Sequence, residues 1–278
     1  MSGTLYVVGT PIGNLNDFSP RALETLESVD FIAAEDTRVT LKLLNRFEVK
    51  KPLISYHEHN RFEKGNVIVD RILAGENCAL VTDAGMPAIS DPGEELVLQC
   101  HLAGVPVVSV PGPSALITAL AISGMPSGRF TFEGFLSMNK KSRKDHLEEL
   151  KNERRTMIFY EAPHKLLATL KDMQAAFGNR EIALIRELTK IHEEVLRTTL
   201  CDAIARYEIT PPKGEFVLIL RGKDTADCDK VQYTIEQAAA IAEEFMNQGE
   251  APTKAAKAAA EVTGFKKNDI YTQLTKNK

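Results

Sequence analysis

Five times within about the first 123 residues, a short apolar run gives way to a Gly/Pro or acidic break and then to an amphipathic stretch of helical period. That alternation leaves few folds open. The apolar runs are LYVVG (from Leu5), FIAA (from Phe31), LISY (from Leu53), ALV (from Ala79) and VPVVSV (from Val105). Each is too short for a helix and too continuously apolar for a strand with one wet face. The stretches between them place apolar residues on one helical face, such as Ala22, Leu23, Leu26 and Val29, then Val67, Ile68, Ile72 and Leu73. Repeated strand–turn–helix units of this kind predict a mostly parallel sheet covered by helices on both sides. In such sheets the carboxyl ends of the strands are where ligands sit.

The second half reads differently. RFTFEGF, TMIFY, EIALIRE, EVLRTTL and EFVLIL predict five more strands, with EVLRTTL the least buried because it alternates. They outnumber the helices between them, so a mixed sheet is expected. MNKKSRKDH reads as a basic polar loop leading into a helix. The fold class is therefore α/β: a parallel-sheet domain over residues 1–123 and a mixed-sheet domain over 124–222. A polar linker is expected at 223–232, then a small helical module of three short helices over 233–278, of helix-turn-helix character.

The totals exclude several classes. The 278 residues carry 44% hydrophobic side chains, enough for a sizeable core, and no apolar run reaches membrane-spanning length. No basic leader precedes the first strand, so a signal peptide is not expected and a cytoplasmic location is. The four Cys are scattered without CxxC spacing, which fits a reducing compartment rather than a zinc site or disulfide framework. A net charge of −4 gives no global attraction to nucleic acid and leaves only local basic patches, such as Lys140 to Lys144, to provide one.

The densest motif is LVTDAGMPAISDPG, Leu80 to Gly93. A strand runs into a loop stiffened by Gly85, Pro87, Pro92 and Gly93, and a helix is expected to start with Asp91 as N-cap, Pro92 at its first position and Glu94 behind. Rigid backbone at a strand end presents fixed N–H and C=O groups to a ligand. GTPIGN and PGPSA end two further strands, but neither is a GxGxxG fingerprint or a phosphate loop with Gly-Lys-Ser/Thr. AEDTR reads equally as a helix-capping ion pair or as catalytic carboxylates. YHEHN places two His at alternate positions that would share one face of a strand, yet no third ligand has a defined spacing, so no metal is expected. His57, His59, His164 and His192 all sit in strand-end clusters with carboxylates, where general bases are found.

GTPIGNLND, AEDTR, SYHEHN, VTDAGMPAISDPG, VPGPSA, FEGFL, YEAPHK, RELTKIHEE and KGEFVLIL occur in this order. Over about residues 3–222 the chain resembles the ribosomal RNA small subunit methyltransferase I family, which belongs to the tetrapyrrole-methylase-like enzymes. The resemblance implies S-adenosylmethionine as cofactor and methyl transfer to the ribose 2′-oxygen of a decoding-region cytidine in 16S rRNA of the small ribosomal subunit. It also implies a homodimer and a cofactor cleft between the two α/β domains. On that basis Pro11, Asp83, Ala84, Gly85, Met86, Ile89, Ser114 and Ala115 are expected to bind the cofactor, with Phe159, Glu161 and Pro212 completing the pocket. A general base is expected among Glu35, Asp36, His57, His59, Glu187 and Lys190. Two rivals stand beside this reading. One is a methylase of a tetrapyrrole-like acceptor, disfavoured by the absence of Trp and an aromatic fraction of 6%. The other is a non-catalytic RNA-binding assembly factor on the same fold.

Overall fold

The computed structural model describes residues 2–223, 234–247, 249–263 and 265–276. The chain divides into two compact units, Met1–Gly222 and Lys223–Lys278. The expected linker lies, past Lys223, outside the described residues.

The first sheet has the order β3-β2-β4-β1-β5, built from β1 (Leu5–Val8), β2 (Phe31–Ala34), β3 (Leu53–Ser55), β4 (Cys78–Val81) and β5 (Val107–Val110). All its pairings are parallel. Alternate residues feed opposite cores. Leu5, Phe31, Ala33, Cys78 and Leu80 pack against Ile68 and Ile72 of α3 (Arg61–Leu73) and Leu96 of α4 (Glu94–Leu102). Val8, Ile32, Ala34, Ala79 and Val81 pack against Ala22 and Leu26 of α1 (Pro20–Ser28) and Leu44 of α2 (Thr37–Arg46). With helices on both faces, the inner strands β2 and β4 are buried at every position, which is why they read as continuous apolar runs. Ser19 caps α1 by accepting from the Ala22 N–H, as its Ser-Pro start predicts.

The second sheet has the order β6-β7-β10-β8-β9, from β6 (Phe130–Phe135), β7 (Thr156–Glu161), β8 (Glu181–Arg186), β9 (Glu194–Thr199) and β10 (Phe216–Leu220). It is mixed as expected: β6 and β7 run parallel, the rest antiparallel. Met157, Phe159, Leu184 and Leu218 face α6 (Lys140–Glu149), α7 (Pro163–Phe177) and α8 (Leu200–Ile209). The opposite face, with Ile158, Ala183, Ile185, Val217 and Ile219, is covered by Ala119 and Leu120 of α5 (Ala115–Ser123). The helix that follows the last strand of the first sheet thus closes the core of the second, so both sheets share one unit.

Two local expectations change. Lys140 to His146 are helical rather than loop, because Asn139 caps α6 by accepting from the Lys141 and Ser142 N–H groups. Helix α4 begins at Glu94 after Gly93, not at Pro92, and Asp91 does not cap it. The loop before it is wound through left-handed Ala88 and Ser90, at φ 66° and 64°, which turns Asp91 away from the helix end.

In the second unit, α9 (Ile235–Asn247), α10 (Pro252–Thr263) and α11 (Lys267–Lys276) pack through Ala238, Ala242, Ala256, Ala259, Ile270 and Leu274. The alanines leave little side chain between the helices. Among the described residues no helix is long and apolar enough to cross a membrane.

Candidate active site

The exits of β1, β4 and β5 are stitched together. Thr10 and Gly85 exchange backbone hydrogen bonds, Thr10 N–H to Gly85 O at 2.9 Å and Gly85 N–H to Thr10 O at 3.2 Å. The Thr10 hydroxyl donates to Thr82 O at 3.1 Å. Gly9 and Gly112 meet backbone to backbone: a Cβ on Gly112 would stand 2.8 Å from the Gly9 Cα. Only two glycines permit that approach, and it brings PGPSA against GTPIG. The three exits form one wall of a cavity of about 580 Å³. The second sheet supplies the other, through Tyr160, Glu161, Ile185, Phe216 and Val217. Tyr160 ties the walls together: its Oη accepts from the Leu116 N–H at 3.0 Å, a hydrogen bond to the first turn of α5 that Ser114 does not make.

The cavity lining is mostly apolar, with Thr82, Ser90, Ser114, Tyr160, His164 and a set of acids among it. Asp83, Asp91, Glu161 and Glu215 border it, and among the described residues no Lys or Arg does. Burial, then the charge of nearby Glu35, pushes the Asp91 carboxyl up to about 6, with Thr82 pulling the other way. Asp83 is raised by the same two causes in the same order, although its Oδ1 accepts from the Asp36 N–H at 3.2 Å. Glu35 accepts from the Thr82 hydroxyl at 2.6 Å. Glu161 is only 5% exposed and fully bonded, taking the Ala162 N–H at 2.8 Å and the Thr169 hydroxyl at 2.5 Å. Carboxylates crowded in this way favour a cation beside them and repel phosphate.

Of the residues expected to bind a cofactor, Asp83, Ala84, Gly85, Met86, Ile89, Ser114, Ala115 and Glu161 line this one cavity. Three do not. Pro11 is replaced by its neighbour Ile12. Phe159 is fully buried in the core against the helices, because β7 alternates and it is Tyr160 that faces the cavity. Pro212 lies outside the lining, where Glu215, Phe216 and Val217 take its place. Asp91 went unassigned because the sequence reads it as a cap. Tyr160 went unassigned because period 2 does not say which face of a strand buried on both sides meets a ligand.

The candidate bases separate. Glu35, His57 and His59 border a second hollow that shares Ser90 and Asp91 with the first. The two His lie in a turn after β3 rather than on a strand. His57 is committed to that turn: its backbone N–H donates to Asn60 Oδ1 at 2.9 Å, and the Asn60 amide, which also donates to Ser55 O, lies 3.3 Å from Nε2. Asp36 caps α2. It accepts from the Arg38 N–H at 2.8 Å, and the Arg38 guanidinium beside it lowers its carboxyl to about 2. Glu187 and Lys190 form an ion pair at 3.0 Å and line neither hollow, though Lys190 also reaches the cavity-bordering Glu215 at 2.9 Å. The Glu215 N–H and then Lys190 hold Glu187 below the usual carboxylate range. Lys190 is raised although burial opposes it, because Glu215 and Glu187 both accept from it, so it stays charged and is a poor base. Among the described residues no group of three or more His, Cys, Asp or Glu is arranged to hold a metal.

A wall of joined parallel-strand exits facing a mixed sheet, around an acid-bordered cavity, places the chain in a known class. It belongs to the tetrapyrrole (corrin/porphyrin) methylase family, whose profile matches residues 4–204. Within that class it falls with the ribosomal RNA small subunit methyltransferases I. It is 47% identical to the protein of that name from Synechocystis sp. over 270 residues, 97% of this chain and 96% of that one. The Haemophilus influenzae protein of the same name is 47% identical over 277 residues, 98% of this chain and 96% of the relative. The Thermotoga maritima one is 48% identical over 222 residues, 80% of this chain and the whole of the relative. Solved structures share the fold at low identity. Diphthine synthase matches at TM-score 0.61 and 15% identity, over 80% of this chain and 90% of that one. The uroporphyrin-III-C-methyltransferase of Thermus thermophilus matches at TM-score 0.55 and 20% identity, over 78% and 94%.

Proposed function

We propose that the chain transfers a methyl group from S-adenosylmethionine to the ribose 2′-oxygen of a decoding-region cytidine in 16S rRNA, within the small ribosomal subunit. It works in the cytoplasm as a homodimer, with α/β domains at 1–123 and 124–222. The observation that carries the reading is the cavity of about 580 Å³ bordered by Asp83, Asp91, Glu161 and Glu215 and lined, among the described residues, by no Lys or Arg. Those residues fit a cofactor that is cationic at sulfur and carries no phosphate. Main-chain atoms of Ala84 to Met86 and of Ser114 and Ala115 would hold its nucleoside and amino-acid ends, with Asp83 and Asp91 near the charge. Ile12, Leu188 and Val217 exclude water.

S-adenosylmethionine, when bound, supplies a methyl group on a sulfonium, an activated leaving group. The protein's own share is mainly alignment, which contributes up to about 7–11 kcal/mol when the reacting atoms are held in line. The second task is to take the proton from the ribose hydroxyl, worth roughly 10²–10⁴-fold. Asp36 is committed to its helix cap, His57 to its turn, and Glu187 with Lys190 to each other. We assign the base to the hollow next to the cavity, to Glu35 or His59.

The test is methylation of small subunits by the full chain with labelled cofactor, with the product nucleotide mapped, beside uroporphyrin-type acceptors. One ribose-methylated cytidine is expected, and Glu35→Ala or His59→Ala should slow the step 10²-fold or more while cofactor binding holds. Labelling of the tetrapyrrole instead, or of neither acceptor, overturns the reading. Unchanged rates in both variants overturn the base assignment.

A further inference from the structure

Apart from Phe135, which lines the cavity at its edge, the FEGFL segment and the basic helix after it lie outside the cofactor site. Strand β6 runs in register with β7 as far as Phe132 opposite Ile158, then resumes with Gly134 opposite Phe159 and Phe135 opposite Tyr160. Glu133 is the extra residue of a bulge, and Gly134 takes φ 63° to accommodate it. On an unbroken strand Phe132 and Phe135 would point to opposite faces. The bulge puts both rings edge-on to Tyr160, with centroids 5.0 and 5.5 Å away. Phe132 is half-buried, but Phe135 is 58% exposed at the lip of the cofactor cavity.

The bulge also turns Glu133 toward α6, where it meets His146 at 3.1 Å. Arg143 fixes the same helix from the other side, pairing with Asp172 at 2.7 Å and donating to Ser137 O at 3.1 Å. Held this way, α6 leaves Lys140, Lys141 and Lys144 exposed, and none of them makes an ion pair among the described residues. Three free cations therefore follow an exposed aromatic ring by five to nine residues, beside a cavity whose own lining is acidic.

An exposed phenylalanine braced by Tyr160, itself backed by Phe132, suits one kind of contact, a flat ring laid against it. Unstacked nucleobases are recognised in this way, with cations nearby for the flanking phosphates. We propose that Phe135 is the platform on which the base of the acceptor nucleotide stacks, while Lys140, Lys141 and Lys144 hold the phosphates on either side. The base is drawn out of its strand and the ribose swings to the cavity mouth. This rests on the RNA-methyltransferase reading and adds the side chains that present the acceptor. Phe135 is a positioning residue, since its contact is with the base and not with the reacting oxygen.

The experiment uses the full chain and small ribosomal subunits. Phe135→Ala should lower kcat/KM for subunits roughly ten- to hundredfold, the usual loss when a stacked aromatic is removed. Affinity for S-adenosylmethionine, read by calorimetry, should fall by clearly less than the rate does, because Phe135 lines the cavity but is 58% exposed. Phe135→Tyr should restore the rate and Phe135→Leu should not. Lys140→Gln with Lys141→Gln and Lys144→Gln should flatten the dependence of KM on salt. Near-normal rates in Phe135→Ala or Phe135→Leu, or a rate loss matched by an equal loss of cofactor affinity, overturn the platform. Failure of the unsubstituted chain to methylate subunits overturns the RNA reading beneath it instead, so the two failures are distinct.

Discussion

Gly112→Val is expected to leave the chain without measurable affinity for S-adenosylmethionine and to lower its Tm by several degrees. The reason is the contact between two strand exits. A Cβ at Gly112 would lie 2.8 Å from the Gly9 Cα and 2.9 Å from the Gly9 carbonyl carbon and oxygen. These are backbone atoms, held in turn by the Gly9 N–H to Val110 O hydrogen bond and by Thr10 pairing with Gly85. Neither exit can yield without opening the Thr10–Gly85 bridge, and that bridge sets the position of Ala84 to Met86. Overpacking of this kind costs about 1–3 kcal/mol or more, and each kcal/mol lowers the Tm of a domain this size by about 2–4 °C. Function suffers more than stability, because a displacement of about 1 Å in a binding constellation costs on the order of 10²-fold. Gly128→Val is the control: a Cβ there meets nothing within 4 Å, so neither Tm nor affinity should move. Calorimetric titration and thermal unfolding of both variants check this. Cofactor binding retained by Gly112→Val within threefold would remove the close approach from the account.

Asp91→Asn is expected to move stability and binding in opposite directions. The carboxyl sits at about 6 because burial and then Glu35 penalise its ionised form. A carboxyl raised in the folded state is ionised more easily in the unfolded chain. Stability is therefore lost as the pH climbs from about 4 through about 6, and is unaffected below that window. The group is only partly buried, so the full linkage value is discounted to about 1–2 kcal/mol. Asp91→Asn removes the penalty, so it should raise the Tm at pH 7.5 by a few degrees and leave it unchanged at pH 4. The same variant should weaken S-adenosylmethionine about ten- to hundredfold at pH 7.5, since a hydrogen bond to a charged group is worth about 1.5–3 kcal/mol. In the unsubstituted chain, affinity should fall as the pH drops below about 6, by up to tenfold per unit for one proton taken up. Asp91→Asn should show a shallower fall. Thermal unfolding and titration at pH 4, 5, 6 and 7.5 read both effects. A variant that binds the cofactor as tightly as the parent at pH 7.5 would remove Asp91 from the site.

Much of this is legible in the sequence, and the gaps have physical causes. Runs such as FIAA and CALV are apolar at every position because helices cover both faces of their strands, so periodicity located the parallel sheet directly. Eight of the eleven residues expected at the cofactor fell on one cavity, since Gly and Pro directly after a strand mark its carboxyl end. Phe159 was lost to its neighbour Tyr160, because a strand buried on both sides does not reveal which face meets a ligand. Asp91 read as a helix cap because Asp-Pro-Gly-Glu imitates one, and nothing local signals that Ala88 and Ser90 are left-handed. The bulge at Glu133 was hidden as well. It shows only when β6 is laid beside β7, and it alone decides that Phe135 faces outward beside Tyr160. Asp36 and Glu187 carried the right chemistry for a base, but their partners, Arg38 and Lys190, consume it.

The central claim is that three joined strand exits and the acids around them make a seat for a sulfonium compound. A crystal structure of the chain soaked with S-adenosylmethionine tests it most directly. The account predicts density in the cavity between Ile12, Ala84 to Met86 and Ser114, with the sulfur beside Asp83 and Asp91. Density in the hollow of His57 and His59 instead, or an empty cavity at saturating cofactor, would contradict it.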